Sequence, residues 1–564
     1  MAIPAPSAAE VGVAPARRWS PLPVFFGRRR APVLVIAIAV ALAAFMAVPL
    51  FYVFYRGLTG SSEVWDRLID DRLPDLFVST LKLAICVSLV TVVVGVGLAW
   101  LIVRTDLPGR GVFVWLAAMP LSVPPYVGAL VYIAILGPNG YVEEWLSALT
   151  GTRERDLPMP EYYSLGGTTL ALSLFTYPYV YLMASAALRS FNPTLEEASA
   201  ASGRRMLSTF WSVVLPLLRP AIGAGVLLVA LYVLSDFGTV SLMRYDTFSR
   251  AIYDQFTSRF DRSAASILST VLVLITIVVL WGQSFSEGRA RYYQTIGGWR
   301  PPRPVKLGRW RYPALAAVVT VLSLALFIPI GLLVYWTVEG LTDSSVASDV
   351  WSYSDDSIYT YAWNSLWTAA AAATLAVLVA LPLAFLAVRF DSPFSRWLAR
   401  LSQAGYALPG VVVGLSLIFL LNNYVEWLYG SAFVVVLAYL LRFYPQAHQS
   451  TTAALTQVSP NMEEAARSLG RRPERAFLEV TVPFIRPGLM AGWALVFLTS
   501  LKELPATLLL RPAGFDTLPV RIWINSSEGI FTLAAPLALL LVLCSAVPLY
   551  FLLRQSRVGP TVIT

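Results

Sequence analysis

The chain has 564 residues, 57% of them hydrophobic and 13% charged, with a mean hydropathy of +0.66 and a net charge of +9. A soluble chain of this length would expose far more charge, so the composition excludes that class and predicts a membrane protein. The basic residues are mostly Arg placed between apolar runs, a distribution that membrane topology explains and nucleic-acid binding does not.

Residues 1–32 are polar and Pro/Ala-rich, with Arg17, Arg18 and Arg28 to Arg30 ahead of the first apolar run. They read as a cytoplasmic extension lying at the anionic inner surface. Ala41-Leu42-Ala43 has the spacing of a signal-cleavage site, but the run continues through Phe54. That exceeds the ~7–15 residues of a signal h-region, so an uncleaved first helix is expected. Crossing the bilayer core takes ~20 apolar residues. Runs of that kind lie near 33–55, 77–103, 112–136, 165–188, 217–241 and 264–285, and again near 313–337, 363–388, 402–421, 431–449, 487–509 and 531–553. The expected fold is therefore all-α and polytopic, with about twelve transmembrane helices. A first half over 33–285 and a second over 313–564 are joined by a basic cytoplasmic linker, 286–312.

Loop charge orients the chain. With the N-terminus inside, the outer loops hold 21 of the 33 acids but 11 of the 42 Lys and Arg. The linker carries seven basic residues from Arg289 to Arg311, whereas the outer loop 338–362 has five acids and no Lys or Arg. Both termini are expected in the cytoplasm. The cysteines, Cys86 and Cys544, lie inside apolar runs and read as packing residues; with His448 the one histidine, no metal-site spacing occurs.

Shifting the sequence by 285 residues places Arg104, Asp106 and Pro108 on Arg389, Asp391 and Pro393, and Ser79-Thr80-Leu81 on Asn364-Ser365-Leu366. Further along a shift of 267 takes over. It places Tyr177-Pro178 on Tyr444-Pro445, Pro193 on Pro460, Glu197-Ala198 on Glu464-Ala465, Gly203 on Gly470 and Pro216 on Pro483. The difference of 18 residues is an insertion that the polar stretch Tyr141 to Leu165 can absorb. Six spans per half keep both halves in one orientation, a parallel repeat with a cavity between the halves.

The inner loop after the fourth span of each half carries one pattern twice. The first copy is Glu197-Ala198-Ser199, three residues, Gly203, nine residues, then Val213-Val214-Leu215-Pro216. The second is Glu464-Ala465-Ala466, three residues, Gly470, nine residues, then Val480-Thr481-Val482-Pro483. Pro193 and Pro460 suit a first helical turn, and the glutamates suit the positive end of the helix dipole. Gly203 and Gly470 suit a left-handed helix stop. A short surface helix, a turn and a second helix entering the membrane are expected.

This doubled pattern resembles the EAA loop of ABC importer permeases, with Ser199 in place of the third small residue. The resemblance implies coupling helices, carried by Glu197, Ala198, Gly203, Pro216, Glu464, Ala465, Gly470 and Pro483, that dock on a cytoplasmic ATPase. No G-x-x-x-x-G-K-[ST] loop occurs, and the lysines are Lys82, Lys306 and Lys502 alone. The chain is thus expected to be a translocation subunit and not an enzyme, without a cofactor of its own, ATP and Mg being bound by the partner. Leu501-Lys502-Glu503-Leu504-Pro505-Ala506-Thr507 through Arg511-Pro512, with Gly514-Phe515-Asp516-Thr517-Leu518, resembles the fused permeases of ferric-iron ABC importers. So does Ser235-Asp236-Phe237-Gly238 with Arg244-Tyr245-Asp246-Thr247-Phe248. The likeness covers nearly the whole chain. It implies a type I importer permease fold in the bacterial inner membrane, a homodimeric ATPase, and a periplasmic or lipid-anchored binding protein. Thiamine, aminophosphonate, polyamine and sugar-phosphate importers share enough of these features to stay open as alternatives.

Charges at bilayer depth are costly and often mark function. Asp236 and Glu503 align under the 267 shift, toward the outer ends of the fifth spans. They read either as acids beside the translocation path or as interfacial groups paired locally, Glu503 with Lys502 for instance. Tyr126, Tyr132, Tyr177, Tyr179 and Tyr181 are further path candidates, although aromatics in such spans also pack or sit at the interface. Ferric ion is a hard cation that prefers oxygen ligands, which carboxylates and tyrosines supply. A secondary transporter would share the twelve spans and the repeat but needs no paired coupling loops. A membrane enzyme would need clustered catalytic groups at one depth, and the sequence offers none.

Overall fold

The computed structural model describes residues 33–151, 161–190, 199, 201–203, 206–287, 304–342, 357–390 and 392–555. Twelve helices carry the fold and are labelled in chain order. In the first half they are α1 (Val33–Leu58), α2 (Leu73–Arg104), α3 (Pro125–Leu136), α4 (Leu165–Ser190), α5 (Leu215–Ser235) and α6 (Arg262–Glu287). In the second they are α7 (Gly308–Thr342), α8 (Ile358–Arg389), α9 (Gly410–Tyr424), α10 (Ala432–Gln457), α11 (Val482–Leu501) and α12 (Phe531–Gln555). Among the described residues there is no strand beyond one isolated bridge, Thr105 to Val305.

Nine of these helices are individually long and apolar enough to cross a membrane. Two more candidates are bent pairs: Arg110–Ser122 turns by 91° into Pro125–Thr150, and Pro393–Ala407 by 104° into Gly410–Tyr424. The expected straight spans 112–136 and 402–421 are therefore broken. Pro124-Pro125 and Pro409 cause the breaks, because proline lacks the backbone donor and disfavours helix in the residue before it. The expected span 431–449 is α10, whose Arg442, Gln446, His448 and Gln449 make it the most polar of the twelve. The fifth spans also differ from expectation. α5 stops at Ser235 and α11 at Leu501, and short helices, Gly238–Leu242 and Pro505–Leu510, follow each break.

The repeat is visible in hydrogen bonds. Ser79 Oγ donates to the Asp246 carbonyl (2.6 Å), and Asn364 Nδ2 donates to the Asp516 carbonyl (2.9 Å). The Phe248 N–H donates to Thr80 Oγ1 (3.3 Å), and the Leu518 N–H to Ser365 Oγ (2.8 Å). Both halves thus dock the loop after the fifth span onto the same turn of their second helix. A π-helical turn also recurs 267 residues apart, at Phe210–Val214 and Phe477–Thr481. Such turns mark a local strain in helix register and often accompany function.

Within each half the second and fourth helices pack side by side. Gly95 of α2 meets α4 so closely that an added Cβ would lie 2.9 Å from the Tyr181 nitrogen and 2.9 Å from Val180 Cβ. Small residues allow such approach where lipid supplies no hydrophobic drive between helices. The halves are also interleaved. α1 packs on α8, α9 and the helix Pro393–Ser402 of the other half, while α7 reaches back to α3. Tyr52 OH accepts from Asn423 Nδ2 (3.1 Å), Arg56 lies 4.9 Å over the Phe419 ring, and Tyr132 OH donates to the Leu324 carbonyl (2.5 Å). The helix Tyr141–Thr150 occupies the insertion expected in the first half, and its Tyr141 OH accepts from Trp336 Nε1 (2.9 Å).

Candidate functional site: an interhalf cavity and an arginine clamp

The breaks in the two fifth spans meet at a cavity of about 220 Å³ walled by both halves. Its lining keeps the 267-residue relation. Asp236 faces across from Glu503, Ser235 matches Lys502, Tyr232 matches Thr499, Tyr179 matches Gln446, and Phe175 matches Arg442. The framework is symmetric but the chemistry is not: the second half places cations where the first has Phe and Ser.

Each acid caps a short helix, the role that carboxylates serve best at a helix N-terminus. Asp236 Oδ2 accepts from the Thr239 and Val240 N–H groups (3.0 and 3.2 Å), and Oδ1 accepts from the Thr239 hydroxyl (3.1 Å). Glu503 Oε1 accepts from the Ala506 N–H (3.2 Å), while Oε2 pairs with Arg442 of α10. The local pair with Lys502, the other of the two readings, is not formed among the described residues. Lys502 instead donates from Nζ to the Leu121 carbonyl of the first half (2.8 Å). Asp236 and Glu503 are 7% and 5% exposed, buried at the half–half boundary and not at an outer surface. Burial in a helix break explains why these charges persist at such depth: backbone donors freed by the break satisfy them.

Tyr126 and Tyr179 line the cavity. Tyr126 is 3% exposed, and its hydroxyl has no hydrogen-bond partner among the described residues. Tyr177 lies off the cavity wall, buried where α4 meets Gly95 of α2; Tyr132 and Tyr181 spend their hydroxyls on backbone carbonyls. The sequence reading missed Arg442, since polar residues within an apolar run lower its hydropathy without revealing which way they face. It also missed Tyr232, Thr499 and Gln446, which the repeat could have flagged once Asp236 and Glu503 were paired. Among the described residues no three His, Cys, Asp or Glu side chains come together in a metal-binding group.

On the cytoplasmic side expected from loop charge, the second copy of the doubled pattern forms the helix Pro460–Ser468, with Pro460 in its first turn and Ser459 Oγ accepting from the Asn461 N–H (3.3 Å). Gly203 and Gly470 both adopt left-handed backbone, φ +76° and +86°. Pro216 and Pro483 stand in the first turns of α5 and α11. Glu197 and Ala198 lie outside the described residues. In the first copy Ser199 Oγ and Thr209 Oγ1 share a hydrogen bond of 2.9 Å, at positions that are Ala466 and Ala476 in the second. Glu464 is half-buried and Ala465 exposed, and beyond them Leu469 is 84% exposed.

The residue that anchors this helix is the neighbouring Glu463. Its Oε1 accepts from Arg389 Nε and Nη2 (3.2 and 3.0 Å) and from the Thr481 hydroxyl (2.7 Å), and Arg389 Nη1 donates to the Val458 carbonyl (3.1 Å). One guanidinium thus ties the ends of α8 and α10, the helix Pro460–Ser468 and the π turn leading into α11. In the first half the matching position, Arg104, sits beside the linker: the Val305 N–H donates to the Arg104 carbonyl (2.8 Å), and Asp106 Oδ1 accepts from the Leu307 N–H (2.8 Å).

Comparison with known proteins agrees with this architecture. Residues 91–292 and 376–558 each match the family described as binding-protein-dependent transport system inner membrane component. The chain is 33% identical, over 94% of its length and 99% of the relative's, to the Fe(3+)-transport system permease protein FbpB 2 of Haemophilus influenzae. It is 25% identical to the ferric transport system permease protein FbpB of Actinobacillus pleuropneumoniae, over 88% of this chain and 74% of the relative. The sulfate transport system permease protein CysW of Escherichia coli aligns at 27% identity with 48% of this chain and 92% of its own length. The chain therefore belongs to the binding-protein-dependent transport system inner membrane components, as a multi-pass ABC importer permease subunit that carries two copies of the permease domain in one polypeptide.

Proposed function

We propose that this permease moves ferric iron inward through the cavity between its halves, by alternating access driven by a separate homodimeric ATPase. The observation that carries the iron reading is 33% identity across 94% of the chain to a protein named for Fe(3+) transport. Iron is delivered by a periplasmic or lipid-anchored binding protein. The helix Pro460–Ser468 and its counterpart around Glu197 are the coupling helices, and each docks on one ATPase subunit. The exposed small and apolar surface of the second copy, Ala465 and Leu469, supports that role. Loop charge supports cytoplasmic placement of both termini and of the linker. Asp236, Glu503, Lys502 and Tyr126 belong to the path, supported by their place on the cavity wall. Tyr177 serves packing.

The test is ATP-dependent uptake of radiolabelled ferric iron into proteoliposomes holding this chain, its ATPase and its binding protein. Uptake that needs all three components is expected. ATP hydrolysis stimulated by the binding protein without iron uptake would keep the importer and remove iron as its cargo.

A further inference from the structure

The cavity offers a bare trivalent cation little. Both carboxylates on its wall are engaged, Asp236 with two backbone donors and a hydroxyl, Glu503 with Arg442 and the Ala506 N–H. A hard ion of high charge needs several oxygen ligands at once, and no cluster of three His, Cys, Asp or Glu exists among the described residues. The wall carries two acids, Asp236 and Glu503, and two bases, Arg442 and Lys502. The charge of Arg442 is paired with that of Glu503. Lys502 has no carboxylate partner among the described residues; one of its three donors is spent on the Leu121 carbonyl, and the ammonium group keeps two. On the same wall Tyr126 adds a buried hydroxyl with no partner among the described residues. An ammonium group with two unspent donors and an unspent hydroxyl donor are complementary to oxygen atoms bearing negative charge.

We propose that the cavity binds an oxyanion through Lys502 and Tyr126, and that the cargo crosses as an oxyanion-bearing ferric complex, not as the bare ion. The inference rests on the cavity being the substrate path. The oxyanion is a phosphate or the carboxylate of a small chelator, and both present the same charged oxygens. The asymmetry of the repeat fits this assignment. Ser235 stands where the second half has Lys502, so the ammonium marks one wall and orients the anion toward it.

Dual-label uptake tests it, in proteoliposomes with the complete importer. Radioactive iron is supplied with 32P-orthophosphate in one arm, with 14C-citrate in a second, and each labelled anion is supplied alone in a third. Iron and one anion are expected to accumulate together in fixed proportion. Lys502→Met lowers both by at least about tenfold, the loss of one charge-assisted hydrogen bond, while Lys502→Arg retains them. Tyr126→Phe, which removes only the hydroxyl, also lowers both by about tenfold, because its bond to a charged oxygen is charge-assisted as well. Iron entering with neither anion label overturns the proposal and leaves iron as cargo. A labelled anion entering alone in a Lys502-dependent manner removes iron as cargo and upholds the oxyanion site. No uptake of either label by the wild type overturns both.

Discussion

Asp236 and Glu503 occupy matching positions and cap matching helices, yet their removal carries different costs. Asp236 answers to backbone donors and one hydroxyl of its own segment. An Asn side-chain oxygen caps almost as well as a carboxylate, whereas Ala leaves the donors unsatisfied, at about 0.5–2 kcal/mol. Asp236→Asn is therefore expected to melt close to the wild type in detergent and Asp236→Ala measurably below it; equal loss in both would show that charge, not capping, matters there. Glu503 also neutralises a largely buried guanidinium. Truncating one member of a buried ion pair costs about 3–5 kcal/mol because the partner charge is left uncompensated. Glu503→Ala should thus lower the melting temperature more than Asp236→Ala, and the double change Glu503→Ala with Arg442→Met should recover part of the loss. Gly95 sets a third expectation. Its Cα faces the α4 backbone with no room for a Cβ, so Gly95→Val overpacks the α2–α4 contact at about 1–3 kcal/mol. Gly97, two residues on, meets nothing within 4 Å, and Gly97→Val should be tolerated by the same melting assay.

At the scale of elements, the Arg389–Glu463 clamp decides how the helix Pro460–Ser468, proposed above to be a coupling helix, is held. It gathers α8, α10, the helix Pro460–Ser468 and the start of α11 at one point, so a push on that helix moves all four together. Glu463→Ala or Arg389→Ala should leave the ATPase able to bind yet weaken the stimulation of hydrolysis by the loaded binding protein. The reversed pair, Arg389→Glu with Glu463→Arg, should restore part of the stimulation. Stimulation unchanged in both single variants would leave the clamp a purely structural contact. The clamp also shows what the sequence could and could not reveal. The spans α1, α2, α4, α6, α7, α8 and α12 were legible because long apolar runs fix a helix by length alone. The breaks at Pro124-Pro125, Pro409, Asp236 and Lys502 to Leu504 were not, since an averaged hydropathy stays high across a short interruption. The doubled loop pattern was legible through its spacing, but it drew the eye to Glu464. Glu463, one residue earlier, carries the anchoring bonds, and only the approach of Arg389 from a helix 74 residues away singles it out. The cavity was half legible: the repeat paired Asp236 with Glu503, while Arg442 lies opposite a phenylalanine in the repeat and gave no signal.

For the whole molecule, the question is what the covalent link between the halves contributes. The interface is spread widely: Asn423 on Tyr52, Arg56 over Phe419, Tyr132 on the Leu324 carbonyl, Trp336 on Tyr141 and Lys502 on the Leu121 carbonyl. α1 and α7 each pack on the other half, so every half is completed by its partner. The entropic cost of closing a loop changes only slowly with its length, whereas these contacts are fixed by side-chain geometry. The linker is pinned where Val305 and Leu307 meet Arg104 and Asp106, so a cut between residues 288 and 303 leaves that docking segment attached to the second half. Two chains, 1–290 and 300–564, should therefore associate when co-expressed: an affinity tag on the first should retain the second in detergent, and ATP-driven uptake should survive. Moving the cut to follow Leu307 removes the Val305 and Leu307 contacts from the second half and should weaken co-purification. If both cuts abolish association equally, the covalent connection, and not the interleaved helices, holds the halves together.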